Sequence, residues 1–317
     1  MELGCSLLGS AFDDDERSFD IDDYEGCVPR WCPGCGDFAV LTAVQRLLSA
    51  EQLPPERTVF VSGIGCSSRF PHYLSTYGFH GLHGRALPLA TGVKLRRPDL
   101  HVFVVMGDGD CCSIGAGHWI HATRYNVRMV ALLLDNQVYG LTKNQTSPTS
   151  PHGVPSNTQP RGSYLNPLNP LTATLGVTNA SFVAQTADWV PAHVYATVSA
   201  AFRHPGFAFV RVLQRCPQFT PNLFSDFVRD PNRVELLVHD NGIVVPELDR
   251  LYRRRVQHDP ADLDGARRLA EQGDTVRIGL LYQNQDLPRY NETRQQASCT
   301  ADERVRKLNA ELDRYAV

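Results

Sequence analysis

Two polar motifs in this sequence carry oxygen ligands that could together hold a metal ion. Asp108 lies in a Gly-Asp-Gly-Asp motif directly after the hydrophobic run 101–106, and Asn136 closes an Asp-Asn pair directly after the run 129–134. Magnesium requires a shell of oxygen ligands and usually holds phosphates. A carboxylate and a carboxamide at the ends of two neighbouring strands therefore predict a magnesium ion that binds a diphosphate.

The same pair resembles the diphosphate–magnesium motif of thiamine-diphosphate enzymes, in which Gly-Asp-Gly is followed by Asn at a similar spacing. The alternative is that both motifs are ordinary tight turns. The strand-end positions and the adjacent sequence Tyr-Gly-Leu-Thr at 139–142 favour the cofactor site over two turns. A backbone carbonyl near Val138 would complete the protein's share of the magnesium ligands.

The elements that must position these motifs are hydrophobic runs alternating with helical patterns. Continuous apolar strands separated by helices are typical of a parallel sheet that is buried on both faces. We therefore predict an α/β fold, with a mainly parallel sheet and helices on both of its faces. The predicted strands are 58–62, 101–106, 129–134, 181–184 and 207–213, and the predicted helices are 38–48, 86–96, 113–125 and 191–204.

Three motifs lie at the carboxyl ends of predicted strands, where open parallel sheets bind their ligands. They are Gly63–Ser67, Gly107–Asp110 and Asp135–Leu141. Glycine lets the backbone approach a diphosphate closely, and residues 110–113 precede a helix whose free N–H groups favour an anion. The segment 146–170, which is rich in Pro, Ser, Thr and Asn, is too long for a simple connection and predicts a functional loop.

Four cysteines form a candidate metal site beside the predicted cofactor loop. Cys32 and Cys35 form a CxxC motif, Cys66 follows the first strand, and Cys216 follows the strand at 207–213. Four thiolates suit either zinc or a 4Fe-4S cluster, and CxxC alone could also be a redox pair. Because Cys66 lies inside the cofactor loop, a cluster there could take electrons from a cofactor-bound carbanion, which favours the cluster.

Composition and charge exclude several classes of protein. The chain has 317 residues, enough for one large α/β domain or two smaller ones, and its net charge of −3 does not suggest a nucleic-acid partner. No apolar stretch approaches the roughly 20 residues of a membrane span, and no signal peptide is visible. We therefore predict a cytoplasmic protein, and the odd number of cysteines, nine, in a reducing compartment favours metal, cluster or catalytic use over a full set of disulfides.

The sequence resembles a known family, the β subunits of 2-oxoacid:ferredoxin oxidoreductases, and most of all the 2-oxoglutarate type. The matching segments come in the family's order and cover roughly residues 28–230: Trp31–Gly36, Gly63–Ser68, His83–Ala86, Gly107–Asp110, Tyr139–Lys143 and Ser147–Thr149.

The resemblance implies a residue for each part of a cofactor site. It implies cluster ligands at Cys32, Cys35, Cys66 and Cys216, and magnesium ligands at Asp108, Asn136 and Val138. It implies thiamine contacts at Ile64, Gly65, Cys66, Ser67, His83, Gly109, Asp110, Gly140 and Leu141.

The chain departs from the family pattern in places. Many relatives have Asn where this chain has Asp135, and many have Gly where it has Asn144. The magnesium prediction is unaffected, because Asn136 is kept. An acidic N-terminal extension is also not a core feature of the family.

The activity implied is thiamine-dependent oxidative decarboxylation of a 2-oxoacid, or the reverse carboxylation, with electrons passing through the cluster to ferredoxin and the acyl group to coenzyme A. No Glu lies in a motif suited to activate thiamine, so the resemblance implies that an α subunit supplies it in a heterodimer. His83 and Lys143 are the catalytic candidates. Lys143 could bind the distal carboxylate of 2-oxoglutarate, or be a plain surface lysine.

Several alternatives remain open from the sequence. The substrate could be pyruvate or a branched-chain 2-oxoacid. The chain could instead be a non-oxidative decarboxylase or carboligase with a structural metal site, or a non-catalytic subunit with a zinc knuckle.

Three regions are expected along the chain. Residues 1–27 form an acidic N-terminal extension, and 28–230 form the thiamine-diphosphate and iron–sulfur-binding domain. Residues 231–317 form a C-terminal extension that packs on the domain or on the partner subunit, ending in an amphipathic helix at 303–315.

Overall fold

The computed structural model describes residues 17–240, 242–271, 273–294 and 300–315. Most of the predicted acidic extension, residues 1–16, lies outside the described residues, as does Cys299.

A nine-stranded sheet organises the described chain, in the order β2-β1-β3-β4-β6-β5-β9-β7-β8. Strands β1 to β6 all run parallel to one another. Strand β9 pairs antiparallel with β5, and β7 and β8 run parallel to β9. The strands are β1 (Thr58–Ser62), β2 (Tyr77–His80), β3 (His101–Gly107), β4 (Met129–Asp135), β5 (Phe182–Ala187), β6 (Phe207–Leu213), β7 (Val234–Val238), β8 (Arg254–Gln257) and β9 (Val276–Gln283).

Helices cover both faces of the sheet. They are α1 (Asp37–Ala50), α2 (Phe70–Tyr73), α3 (Ala86–Arg96), α4 (Ala116–Tyr125), α5 (Pro170–Leu175), α6 (Pro191–Arg203), α7 (Ser225–Arg229), α8 (Leu263–Ala270), α9 (Tyr290–Arg294) and α10 (Ala301–Asp313). Helices α1 and α6 pack on one face, and α3, α4, α5 and α8 pack on the other. No described helix has the length and apolar character needed to cross a membrane.

Burial on both faces explains why the central strands are apolar at most positions. Along β1, Phe60 belongs to one core cluster, whereas Val59 and Val61 belong to the cluster on the opposite face. Every residue of β4 and β6 is buried. The predicted α/β class with helices on both faces is confirmed.

The sheet extends beyond the strands predicted from sequence. Tyr77–His80 is an edge strand with all four residues exposed, and it is not among the strands predicted from the sequence. β7, β8 and β9 add a second group of strands from the region 231–317. The two edge strands, β2 and β8, are mostly exposed, so neither carries the continuous apolar pattern of a strand buried on both faces.

The two ends of the described chain differ in how they pack. Tyr24 is fully buried, and its hydroxyl oxygen lies 3.0 and 2.9 Å from the carbonyl oxygens of Leu48 and Leu53, either of which can accept its proton. Helix α10 buries none of its side chains. The division into three regions stays a prediction.

Candidate functional site

A cavity of about 320 Å³ lies at the carboxyl ends of β1, β3 and β4. These strands are neighbours in the sheet and run parallel. The segments that follow them therefore meet at one edge, as the sequence predicted.

The cavity collects every residue that was predicted to contact thiamine or magnesium. Its lining is Ile64, Gly65, Cys66, Ser67, His83, Gly107, Asp108, Gly109, Asp110, Asn136, Val138, Tyr139, Gly140, Leu141, Thr142 and Gln145. Lys143 is not among them. Among the lining atoms, Ser67 Oγ is buried and has no hydrogen-bond partner within the described chain, which leaves it available to a bound molecule.

Asp108 is a buried carboxylate whose described side-chain hydrogen bonds come from two hydroxyls and from no cation. Ser147 Oγ and Thr149 Oγ1 both donate to its Oδ2, at 2.5 and 2.7 Å. Burial raises the pKa of Asp108 to about 7, and the negative charge of Asp135 adds to the rise. A nearby magnesium ion would favour the ionised form, so the site fits a divalent cation.

Asp135 is neutralised by an arginine inside the sheet. Arg211, which is 1% exposed, donates through Nε and Nη2 to Asp135 Oδ2 at 2.8 and 2.5 Å. Its Nη1 donates to Gln185 Oε1 at 3.1 Å. The residue by which this chain departs from many relatives is therefore one half of a buried ion pair.

Asp110 contacts His83 with one carboxylate oxygen, whereas its other oxygen, Oδ2, is buried without a hydrogen-bond partner within the described chain. Its Oδ1 accepts hydrogen bonds from the backbone N–H groups of Gly84 and Ile64, at 2.6 and 3.3 Å. His83 Nδ1 lies 2.9 Å from the same oxygen, at ion-pair distance. Burial raises the pKa of Asp110, whereas the two N–H groups and His83 oppose the rise. Because Nδ1 faces Asp110, Nε2 is the His83 nitrogen available to a ligand.

Lys143 lies at the tip of a hairpin next to the cavity. Tyr139 and Gln145 pair across this hairpin, and Lys143 and Asn144 both have left-handed backbones, with φ of 69° and 61°. Asn157 holds the tip, because its Nδ2 donates to the Lys143 carbonyl at 2.6 Å. The Lys143 side chain is exposed, so it can reach a molecule only at the cavity's mouth.

The four predicted cluster cysteines come from three segments that hydrogen bonds hold together. Trp31 Nε1 donates to the carbonyl of Cys66 at 2.7 Å, which ties the CxxC segment to the cofactor loop. The backbone N–H of Gly36 donates to the carbonyl of Arg215 at 3.1 Å, beside Cys216. Cys32 is exposed and Cys216 is buried, with the other two between these extremes.

The thiols lie within electrostatic range of one another. Burial raises the pKa of Cys66 to about 12, and the charges of Asp37, Cys216 and Cys32 add to the rise. Burial likewise raises the pKa of Cys35, with contributions from Asp37, Cys66 and Cys216. Within the described ranges, no three His, Cys, Asp or Glu side chains are arranged to hold a metal ion.

Several residues of the site were not singled out by the sequence. Tyr139 packs over Gly109, and its hydroxyl donates to the Gly109 carbonyl at 3.0 Å. Arg211 showed only as a charge within an apolar strand, which is a usable signal because buried arginines are paired. Ser147 and Thr149 lay in a recognised motif, but nothing in the sequence gave their partner.

Comparisons with known proteins agree with this geometry. The family model for the C-terminal TPP-binding domain of thiamine pyrophosphate enzymes matches residues 63–212, which include every lining segment of the cavity. The model for the C-terminal part of the pyruvate ferredoxin oxidoreductase beta subunit matches residues 248–298.

Similar curated proteins include two oxidoreductase subunits. The 2-oxoglutarate oxidoreductase subunit KorB of Mycobacterium tuberculosis is 49% identical over 217 residues, which cover 68% of this chain and 58% of that relative. The chain thus spans less than two thirds of that relative's length. The 2-oxoacid:ferredoxin oxidoreductase subunit beta of a Sulfolobus species is 38% identical, and the match covers 83% of this chain and 84% of that relative.

A solved structure shares the fold over nearly the whole chain. It is a 2-oxoglutarate:ferredoxin oxidoreductase from Magnetococcus marinus, with 2-oxoglutarate, coenzyme A and succinyl-CoA bound. The TM-score is 0.75 and the identity 36%, and the match covers 95% of this chain and 93% of that one.

Proposed function

Because the chain belongs to the family of β subunits of 2-oxoacid:ferredoxin oxidoreductases, we propose that it oxidises 2-oxoglutarate to succinyl-CoA together with an α subunit. Electrons would leave through a 4Fe-4S cluster to ferredoxin. We expect the reaction in the cytoplasm, where thiols stay reduced.

The observation that carries this proposal is the cavity at the ends of β1, β3 and β4. It holds glycines, a buried carboxylate, a carboxamide and the unpartnered Ser67 hydroxyl in one place. This set of groups fits a diphosphate with its magnesium ion better than it fits two unrelated turns. Asp108, Asn136 and the Val138 carbonyl would hold the ion.

The chain's own residues would orient and enclose the reacting molecules. When bound, thiamine diphosphate supplies the electron sink for decarboxylation. His83, braced by Asp110, would offer Nε2 to the reacting carbonyl. Lys143 would bind the distal carboxylate of 2-oxoglutarate at the cavity's mouth, as a charge-assisted contact.

The cysteine arrangement supports a cluster over a single zinc ion. Burial raises the pKa of Cys35 and Cys66, and neighbouring thiols add to the rise, which a positively charged metal centre would offset. Among the described residues they do not surround a single ion. A cluster holds its four thiolates farther apart than zinc does, because iron and sulfide atoms lie between them. Cys66 also lines the cofactor cavity, which would shorten the path of an electron.

The test is to purify the chain anaerobically with its α subunit and measure bound iron, colour and viologen reduction. We expect a brown complex that reduces viologen only with both 2-oxoglutarate and coenzyme A. Cys216→Ser should lose iron and reduction, whereas Cys27→Ser, at an exposed cysteine outside the predicted set, should keep both.

Other results would identify the alternatives. Carbon dioxide release without viologen reduction would indicate a non-oxidative decarboxylase or carboligase. A complex that binds neither iron nor thiamine diphosphate would indicate a structural subunit.

A further inference from the structure

Two hydroxyls of the long loop hold the same oxygen of Asp108. Ser147 Oγ and Thr149 Oγ1 donate to Oδ2 at 2.5 and 2.7 Å, and the two hydroxyl oxygens lie 3.1 Å apart. Neither contact uses Oδ1. All three side chains are buried, with exposures of 5% or less. The orientation of the Asp108 carboxylate is therefore set by residues 39 and 41 positions away along the chain.

Thr149 also contacts Asp135, the last residue of β4. Its Oγ1 lies 3.0 Å from Asp135 Oδ1, while Arg211 occupies Asp135 Oδ2. A hydroxyl has only one proton to donate. Because Arg211 neutralises Asp135, that proton is left available to Asp108, which has no cationic side chain among its described hydrogen-bond partners.

We propose that Thr149 is a positioning residue for the magnesium site: it holds Oδ2 of Asp108 inward, with Ser147, so that Oδ1 is presented to the ion. This inference rests on the function proposed above, since it requires a magnesium-held diphosphate. The buried Asp135–Arg211 pair anchors Thr149 from the opposite side.

The expected effect follows from the behaviour of groups that orient metal ligands. Their replacement typically weakens metal affinity about 10- to 100-fold without removing a ligand. Thr149→Val keeps the shape of the side chain and removes the hydroxyl, whereas Thr149→Ser keeps the hydroxyl and removes a methyl group. The pair separates hydrogen bonding from packing.

The experiment uses the α–β complex stripped of metal by a chelator. Magnesium chloride is titrated by calorimetry at saturating thiamine diphosphate, and thermal unfolding checks that each variant is folded. We expect Thr149→Val to raise the apparent Kd for magnesium about tenfold or more, and Thr149→Ser to stay close to the wild type. Thr123→Val should also match the wild type, because Thr123 is equally buried but bonds only within helix α4.

Several outcomes would overturn the proposal. An unchanged Kd in Thr149→Val would show that the hydroxyl does not position Asp108, and equal losses in Thr149→Val and Thr149→Ser would assign the effect to packing. If Thr149→Val does not fold, Ser147→Ala decides in the same way: a raised Kd supports the proposal and an unchanged one overturns it. A wild-type complex that binds no thiamine diphosphate would instead contradict the proposed function.

Discussion

At the residue scale, Lys143 is the side chain that would select the 2-oxoacid under the proposed function. Lys143 is exposed at the tip of a hairpin whose backbone is held by Asn157. The tip is left-handed at two successive residues, which fixes where the lysine side chain leaves the backbone. Under the proposed function, substrate choice would therefore depend on one flexible cation carried by a fixed backbone.

Lys143→Ala should raise KM for 2-oxoglutarate about tenfold or more, since hydrogen bonds to charged groups are worth about 1.5–3 kcal/mol. KM for pyruvate, which has no distal carboxylate, should change much less. Alanine and lysine both carry a Cβ, so the strain of the left-handed backbone is equal in the two proteins. Steady-state kinetics of the α–β complex checks this, with Lys143→Arg as the control that keeps the charge. Equal effects on both substrates would count against the assignment.

At the scale of elements, strands β4 and β6 carry charges into the middle of an apolar sheet. Arg211 of β6 and Asp135 of β4 are both fully enclosed, with side-chain exposures of 2% and 0%. Breaking one partner of such a pair leaves an uncompensated buried charge, whereas removing both often costs little. The pair therefore ties two neighbouring strands together beside the proposed magnesium site.

Arg211→Met should destabilise the protein by about 3–5 kcal/mol, because Asp135 would remain buried without a partner. The double variant Arg211→Met with Asp135→Asn should recover most of that loss. Denaturant unfolding measures both, with Arg203→Met as a matched control. Arg203 is 68% exposed in its pair with Glu51, so its loss should cost at most about 1 kcal/mol. Equal losses in the single and double variants would contradict the account.

Helix α6 makes the stability of the fold depend on pH through His193. His193 lies inside it, with Nδ1 2.8 Å from Thr186 Oγ1, and burial lowers its pKa to about 4. The folded protein holds His193 neutral, whereas the unfolded chain binds a proton near pH 6.5. The stability that depends on the neutral ring is therefore present above pH 6.5 and is lost as the pH falls toward about 4.

His193→Gln should flatten the loss of stability between these pH values. Each unit of pKa difference corresponds to about 1.4 kcal/mol. Thermal unfolding at several pH values measures the effect, and His152→Gln, at an exposed position, serves as the control. A slope unchanged from the wild type would show that His193 is not the group responsible.

For the whole molecule, the proposed function requires a partner chain to complete the thiamine site. The acids among its lining residues are Asp108 and Asp110. Asp108 is assigned to magnesium, and Asp110 already accepts two N–H groups and faces His83. Among the described lining residues there is no Glu to activate the cofactor. The family name, a β subunit, agrees with an α subunit that supplies one.

The chain alone should therefore turn over 2-oxoglutarate at least about a hundredfold more slowly than the α–β complex, which is the usual contribution of a general acid–base group. Mixing the separately purified subunits should restore activity. Turnover by the isolated chain at the rate of the complex would contradict the prediction.

The sequence by itself determined the family, the parallel sheet and the residues that line the cavity. The family prediction is confirmed by the relatives and by the shared fold. These features were readable because strands buried on both faces are continuously apolar, and because parallel strands bring their carboxyl ends to one edge. The roles of the lining residues stay predictions.

Only the tertiary structure showed which residues hold the side chains in and beside the cavity in place. The contacts of Thr149 with Asp108, and of Arg211 with Asp135, join residues 41 and 76 positions apart. No local pattern encodes such a pair, because the contacts depend on how the long loop packs on the end of β3 and how β4 pairs with β6. Strand β8 was missed because it is charged and mostly exposed, so its sequence lacks the apolar run that marks a buried strand.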